Sequence, residues 1–249
     1  MKIIPLNEGS FTIDKTKLFI PFDESNDNLK ERASGSLLVE IQPFIVITSK
    51  DVLLLDTGLG FESKEGVMQL HQNLMDAGIN PSEVTKVLMT HLHKDHAGGT
   101  SDMHELSKRH RTAFPQANYY VQRQELAFAI QKGFPSYIPD ELIALKDNPK
   151  VELLDGNGKI DDYITYEFSG GHSPHHQVFW IEEEGQKIFF GGDEAPQLSQ
   201  MKNRYIAKYD FDGKKSMELR QKWWKQGEEE NWTFLFYHDI KTPTYSFQK

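Results

Sequence analysis

Apolar residues along this chain come in short blocks, and nine of them read as strands: LLVEI (37–41), FIVITS (44–49), VLLLD (52–56), KVLMT (86–90), YYVQ (119–122), ITYEF (164–168), VFWIE (178–182), KIFFG (187–191) and TFLFY (233–237). Between them, apolar residues at three-to-four spacing predict helices over 65–77, 123–132, 139–145 and 214–226. That mixture predicts an α/β or α+β fold in which helices cover sheets. The stretch 100–148 is the least strand-like and reads as a helical insert over one end of the sheets. Two strand pairs share an ending: 44–56 closes on Asp-Thr-Gly and 178–193 on Gly-Gly-Asp. Each delivers a carboxylate to a loop, which hints at two similar halves.

Composition narrows the chemistry. A formal net charge of −9 leaves no basic excess to neutralise a phosphate backbone, so nucleic acid is not an expected partner. No apolar run approaches the length of a membrane span, and the start, MKIIPLNEGSF, lacks the apolar core of a signal peptide. The expected location is the cytoplasm, without membrane association. With no cysteine, a metal here must be held by nitrogen and oxygen.

The densest chemistry is THLHKDHAGG, residues 90–99, at the end of the KVLMT strand. Strand-end loops are where sites are built. Alternation points His91 and His93 the same way, while the tightening turn lets Asp95 and His96 face a second point nearby. With ten histidines in 249 residues, H-x-H-x-D-H arises by chance in about one such chain in a thousand. Three later strand-end loops add donors of the same kind: GGHSPHH with His172, GGD with Asp193 and YHD with His238. A carboxylate on a loop can bridge two cations, and two sets of histidines can close a site that keeps room for water.

THLHKDHAGG, the upstream LLLDTGLG and the later His172, Asp193 and His238 together resemble the metallo-β-lactamase superfamily, in its glyoxalase II and N-acyl-homoserine-lactone lactonase branch. The resemblance runs from about Val52 to His238. It implies one domain over 1–249 with an αββα sandwich, two mixed sheets face to face and helices outside. It also implies two divalent metal ions, one on His91, His93 and His172 and the other on Asp95, His96 and His238, with Asp193 bridging. Asp56 would support the metal loop through hydrogen bonds without binding metal. Zinc is the expected occupant, with iron or manganese also suited to imidazole and carboxylate donors. The cysteine ligand of many antibiotic-hydrolysing members is absent, and His93 stands where flavodiiron proteins carry Glu.

The implied reaction is attack of a metal-bridging hydroxide on a lactone or ester carbonyl, with Asp95 as the proton shuttle to the departing alkoxide. Segment 115–133, PQANYYVQRQELAFAIQKG, resembles the lactonase-like group. Only eleven residues follow His238, fewer than the glutathione-binding domain of glyoxalase II needs, which counts against thiolester hydrolysis of that type. One departure stands out: where lactonases often have a Tyr three residues after the bridging Asp, this chain has Pro196. Tyr237, beside His238, could supply a hydroxyl, although a Tyr closing an apolar strand also reads as core. Phe22, Phe61, Phe134 and Tyr137 lie in loop-like segments that would favour a small substrate with a hydrophobic portion. Alternatives are a small phosphoester or organophosphate hydrolase and, disfavoured by the complete donor set, a non-catalytic metal-binding protein. A homodimer through the inserted segment is compatible with the sequence.

Overall fold

The computed structural model describes residues 1–104 and 109–247. Two six-stranded sheets form its centre. The first runs, in spatial order, Lys2–Pro5, Phe44–Ile47, Val52–Leu55, Lys86–Leu88, Asn118–Gln122 and Val151–Leu154. Its first two pairings are antiparallel and the remaining three parallel. The second runs Gly158–Ile160, Ile164–Phe168, Gln177–Glu183, Gln186–Phe190, Thr233–Leu235 and Thr244–Ser246, antiparallel except where Gln186–Phe190 meets Thr233–Leu235.

The period-2 geometry of a strand sorts the apolar blocks into three layers. Phe44, Val46, Leu53, Leu55, Leu88 and Tyr120 face inward and meet Phe179, Ile181, Ile188, Phe190 and Leu235 of the second sheet. The alternate residues Ile45, Leu54, Val87, Tyr119 and Val121 face outward, where Leu70 and Leu74 of the helix Gln69–Asp76 and Leu126 and Ala129 of the helix Arg123–Lys132 cover them. On the far side, Val178, Trp180, Phe189 and Phe234 pack on Trp223 of the helix Gly213–Glu230. The sandwich is therefore helix, sheet, sheet, helix. Blocks that looked uniformly apolar are so because both faces of each sheet are buried.

Several elements differ from the sequence reading. The stretch 100–148 is not a helical insert throughout: Ser101–His104 pairs with Arg109–Thr112 as a ribbon, ahead of the strand expected at 119–122, which is present as Asn118–Gln122, an inner strand of the first sheet. Helix is confined to Arg123–Lys132 and Pro139–Leu142, the latter continued by the 3-10 turn Ile143–Leu145. Residues 105–108 of that stretch lie outside the described residues. The N-terminal region before residue 37, given no elements from sequence, supplies Lys2–Pro5 and the strands Gly9–Ile13 and Phe19–Pro21, which join the expected strand Leu37–Ile41 in a three-stranded sheet with Gly9–Ile13 in the middle. Among the described residues no helix is long and apolar enough to cross a membrane.

Candidate metal centre

Both halves of the sandwich use the same local device. An antiparallel hairpin (Phe44–Ile47 with Val52–Leu55, Gln177–Glu183 with Gln186–Phe190) ends in a loop carrying a carboxylate, Asp56 or Asp193. Its last strand then pairs in parallel with a strand whose own end carries histidines: Lys86–Leu88 leads to His91, and Thr233–Leu235 to His238. The strand ends thus bring the donors to one edge of the sandwich. Gly98 and Gly99 owe their place to close approach: a Cβ on either would stand 2.2 Å from the carbonyl oxygen of Leu59 or Thr57.

The structure brings all seven sequence-predicted donors together. Donor atoms of His91, His93, His172 and Asp193 lie within 4.8 Å of one another, as do those of Asp95, His96 and His238. Asp193 stands between the groups. Its Oδ2 lies 3.1 Å from His172 Nε2 and 4.0 Å from His91 Nε2, and its Oδ1 lies 3.1 Å from His96 Nε2 and 3.0 Å from His238 Nε2. Asp95 Oδ2 is 3.6 Å from His238 Nε2 and 3.9 Å from His96 Nε2.

Four of the five rings are oriented from behind. His96 Nδ1 donates to Asp56 Oδ2 (2.8 Å), His238 Nδ1 to the Glu40 carbonyl (2.7 Å) and His172 Nδ1 to Asp210 Oδ1 (3.0 Å). His91 Nδ1 contacts Thr90 Oγ1 at 3.1 Å, and that hydroxyl donates to Asp56 Oδ2 at 2.7 Å. A proton held on Nδ1 leaves the Nε2 lone pair pointing into the centre. Asp56 itself is fully buried and accepts from the Thr90 backbone N–H (2.7 Å) as well. Its oxygens are occupied in fastening His96 and Thr90.

The donor set fits divalent cations on its own chemistry. His91 Nε2 and His93 Nδ1 lie 2.9 Å apart, and His172 Nε2 and His93 Nδ1 3.1 Å apart. Lone pairs at such separations repel unless a cation or proton lies among them. Burial holds the His91 and His93 rings well below the ordinary histidine range, and neighbouring histidines push the same way, so both are neutral bases, the form that binds metal. His96 Nε2 and Asp193 Oδ1 are buried and, although 3.1 Å apart, not aligned for a hydrogen bond.

Some supports were not read from sequence. Glu125, fully buried, accepts from Leu92 N–H (3.0 Å) and Ser173 Oγ (3.3 Å), tying the two histidine loops together, and burial raises its pKa to about 7. Glu194 accepts from the backbone N–H groups of Gly171 (2.5 Å) and His172 (2.9 Å). His176, buried with its ring 4.8 Å from that of His91, has its pKa pushed down to about 3 by burial. The only sequence signal for these was chemical oddity, a charged or polar side chain next to a motif; their partners are far away in the chain.

Tyr237 takes the core place that its position at the end of an apolar strand suggested. Its ring is fully buried, stacked 4.0 Å from the His96 ring, and its hydroxyl donates to the Asp95 carbonyl at 2.6 Å. It packs the centre from behind instead of offering a hydroxyl to substrate. The apolar loop residues differ from expectation. A cavity of about 500 Å³ opens above Asp95, Asp193 and His238, and its apolar wall comes from Ile13, Phe19, Leu37 and Val39 of the N-terminal sheet. Phe22 and Tyr137 are instead buried, Phe61 packs on Phe11, and Phe134 is 71% exposed; none lines that cavity. Pro196, Gln197, Gln200, Asn203, Tyr205 and Tyr209 also line the cavity.

Comparison with known proteins agrees with this geometry. The family model described as the Metallo-beta-lactamase superfamily matches residues 39–238. N-acyl homoserine lactonase AttM of Azorhizobium caulinodans is 31% identical over 115 residues, 42% of this chain and 38% of that protein. An atrochrysone carboxyl ACP thioesterase of Pseudocercospora fijiensis is 29% identical over 165 residues, 66% of this chain and 40% of that protein. The matched segments thus span about two fifths of the length of these relatives. Among solved structures, a probable metal-dependent hydrolase from Staphylococcus aureus superposes with a TM-score of 0.78 at 22% identity, covering 99% of this chain and 92% of that one. AidC, a dizinc quorum-quenching lactonase, superposes with a TM-score of 0.73 at 20% identity, covering 99% and 90%. At these identities the structural likeness is one of fold.

Proposed function

The chain belongs to the metallo-beta-lactamase superfamily, and from that membership we propose that it is a metal-dependent hydrolase of lactones or related esters. The observation that carries this reading is the placement of Asp193 between two groups of histidines, beside a cavity with an apolar wall. In this reading His91, His93 and His172 hold one divalent ion, Asp95, His96 and His238 hold a second, and Asp193 serves both; zinc suits the set, as do iron and manganese. When bound, such a pair supplies a nucleophile at neutral pH and polarises a carbonyl.

The chain's own residues do the rest. Ile13, Phe19, Leu37 and Val39 take up hydrocarbon and displace water beside the centre. Asp95, partly exposed on the cavity, is the carboxylate placed to pass a proton to the leaving alkoxide. With Pro196 where similar lactonases carry a tyrosine, a phenol facing the cavity is Tyr209: its oxygen accepts from Gln200 Nε2 (3.2 Å), which leaves its O–H to donate to a substrate oxygen.

A second reading, hydrolysis of an acyl thioester, is favoured by the fungal thioesterase, which matches over 165 residues against 115 for the lactonase. The test is metal analysis joined to a substrate panel of acyl homoserine lactones, thioesters, phosphotriesters and aryl esters. Two equivalents of divalent metal and lactone opening that is lost on chelation and regained on reconstitution are expected, with His93→Ala reducing turnover roughly a thousandfold while the fold persists. Less than one equivalent after reconstitution, or full activity in chelator, would overturn the dinuclear reading.

A further inference from the structure

Two lysines stand on the wall of the cavity that adjoins the donor cluster. Lys94 follows His93 directly and opens the short helix Lys94–Ala97, with its backbone N–H bonded to the Ser136 carbonyl at 2.9 Å. Its ammonium lies 5.6 Å from the centre of the Phe19 ring, so the side chain reaches from the donor loop toward the N-terminal sheet. Lys17 comes from that sheet, in the turn between Gly9–Ile13 and Phe19–Pro21. The Lys17 charge reaches both Lys94 and His93.

Neither of these two charges has a close ion pair among the described residues. The chain has a formal net charge of −9, so two cations meeting on one cavity run against its overall field. Asp95, next in the chain, and Glu141, from the helical segment, are the carboxylates whose charge reaches Lys94. Among the described residues, no carboxylate comes within 4.0 Å of either ammonium. Asp95 and Asp193, the carboxylates lining the cavity, are both turned to the histidines. Lys17 also has a φ of +60°, the left-handed region where glycine would be the relaxed choice. A lysine at a site that favours glycine keeps its place against a local backbone cost.

We propose that Lys17 and Lys94 form a binding element for an anionic group of the substrate, a carboxylate, sulfate or phosphate carried apart from the bond that is cleaved. The inference rests on the reading of the cavity as a substrate site. It makes the preferred substrate an ester or lactone with a hydrocarbon part, received by Ile13, Leu37 and Val39, and a negative charge directed at the two ammonium groups. Partly exposed charge pairs are each worth a modest amount, so two of them would strengthen binding about 2- to 30-fold.

The test reads binding without turnover. Hexyl sulfate, hexyl phosphate and hexanol are titrated calorimetrically into the metal-loaded wild type, Lys17→Met, Lys94→Met and the double variant, with circular dichroism and metal content confirming that each variant is folded and loaded. Hexyl sulfate is expected to bind about 2- to 30-fold more weakly to the double variant than to wild type, with the single variants between and the difference shrinking as salt is raised. Hexanol is expected to bind all four alike. A larger loss for the phosphate than for the sulfate would assign a dianion as the natural group, and equal losses a monoanion. Equal hexyl sulfate affinity in wild type and double variant would overturn the proposal. Lysine-dependent binding in a protein that hydrolyses none of the panel would support the anion element while overturning the hydrolase reading.

Discussion

Asp56 and Asp193 occupy corresponding places in the two halves of the sandwich, each in the loop after an antiparallel hairpin and before a parallel strand. Their surroundings differ completely. Asp56 is sealed and accepts from Thr90 N–H, Thr90 Oγ1 and His96 Nδ1. Asp193 faces the Nε2 atoms of four histidine rings and looks onto the cavity. Thr90 joins the two turns: it bonds Asp56, and a Cβ on Gly192 would stand 2.5 Å from its hydroxyl oxygen. The same backbone device therefore yields a positioning carboxylate in one half and a candidate metal bridge in the other, decided by which atoms meet each carboxylate.

Three substitutions would break or sharpen this contrast. The largest effect is expected for Asp193→Asn, which removes the negative charge shared by both donor groups: metal content should fall to one equivalent or less and turnover by roughly a thousandfold or more. Asp56→Asn should do less. It presents an amide N–H₂ where His96 or Thr90 now donates, which should weaken metal binding about 10- to 100-fold and cost about 1–3 kcal/mol of stability. Metal titration and thermal unfolding measure these, and losses equal to those of Asp193→Asn would erase the distinction between the two carboxylates.

The smallest effect on turnover is expected at Glu8, which holds the turn after Asp56 by accepting from Leu59 N–H at 2.7 Å. Burial raises its pKa from 4.5 to about 7. The folded protein therefore binds that proton more tightly than the unfolded chain does. The contribution is fully present below about pH 4.5 and is lost as pH rises through about 7, amounting to about 3 kcal/mol. Denaturant unfolding from pH 5 to 8 should show this decline in wild type and a flatter profile in Glu8→Gln. Parallel profiles would remove Glu8 as its source.

The candidate metal donors were legible from sequence because each sits beside an apolar strand block, and strand ends gather at one edge of a sandwich whatever the loops between them do. His91, His93, Asp95 and His96 are close in the chain, so their local pattern alone argued for a site. His172, Asp193 and His238 repeated the same placement, a polar donor just after a strand or glycine pair. The supports were not legible. Glu125 holds Leu92 and Ser173, and Asp210 holds His172 from 38 residues away, contacts with no local trace. Tyr237 reads equally as core or as donor until its hydroxyl is seen bonded to the Asp95 carbonyl.

The sequence by itself determined the layered α/β architecture and the nitrogen and oxygen donors, because strand periodicity and the chemistry of histidine and aspartate are local properties. The tertiary structure decided which carboxylate stands between the two groups of histidines and which fastens His96 and Thr90 from behind. It also added the ribbon of Ser101–His104 with Arg109–Thr112 to the expected helical insert and handed the apolar wall of the cavity to the N-terminal sheet. Those outcomes depend on which side chains meet across the folded chain, and the sequence lists side chains without their neighbours in space.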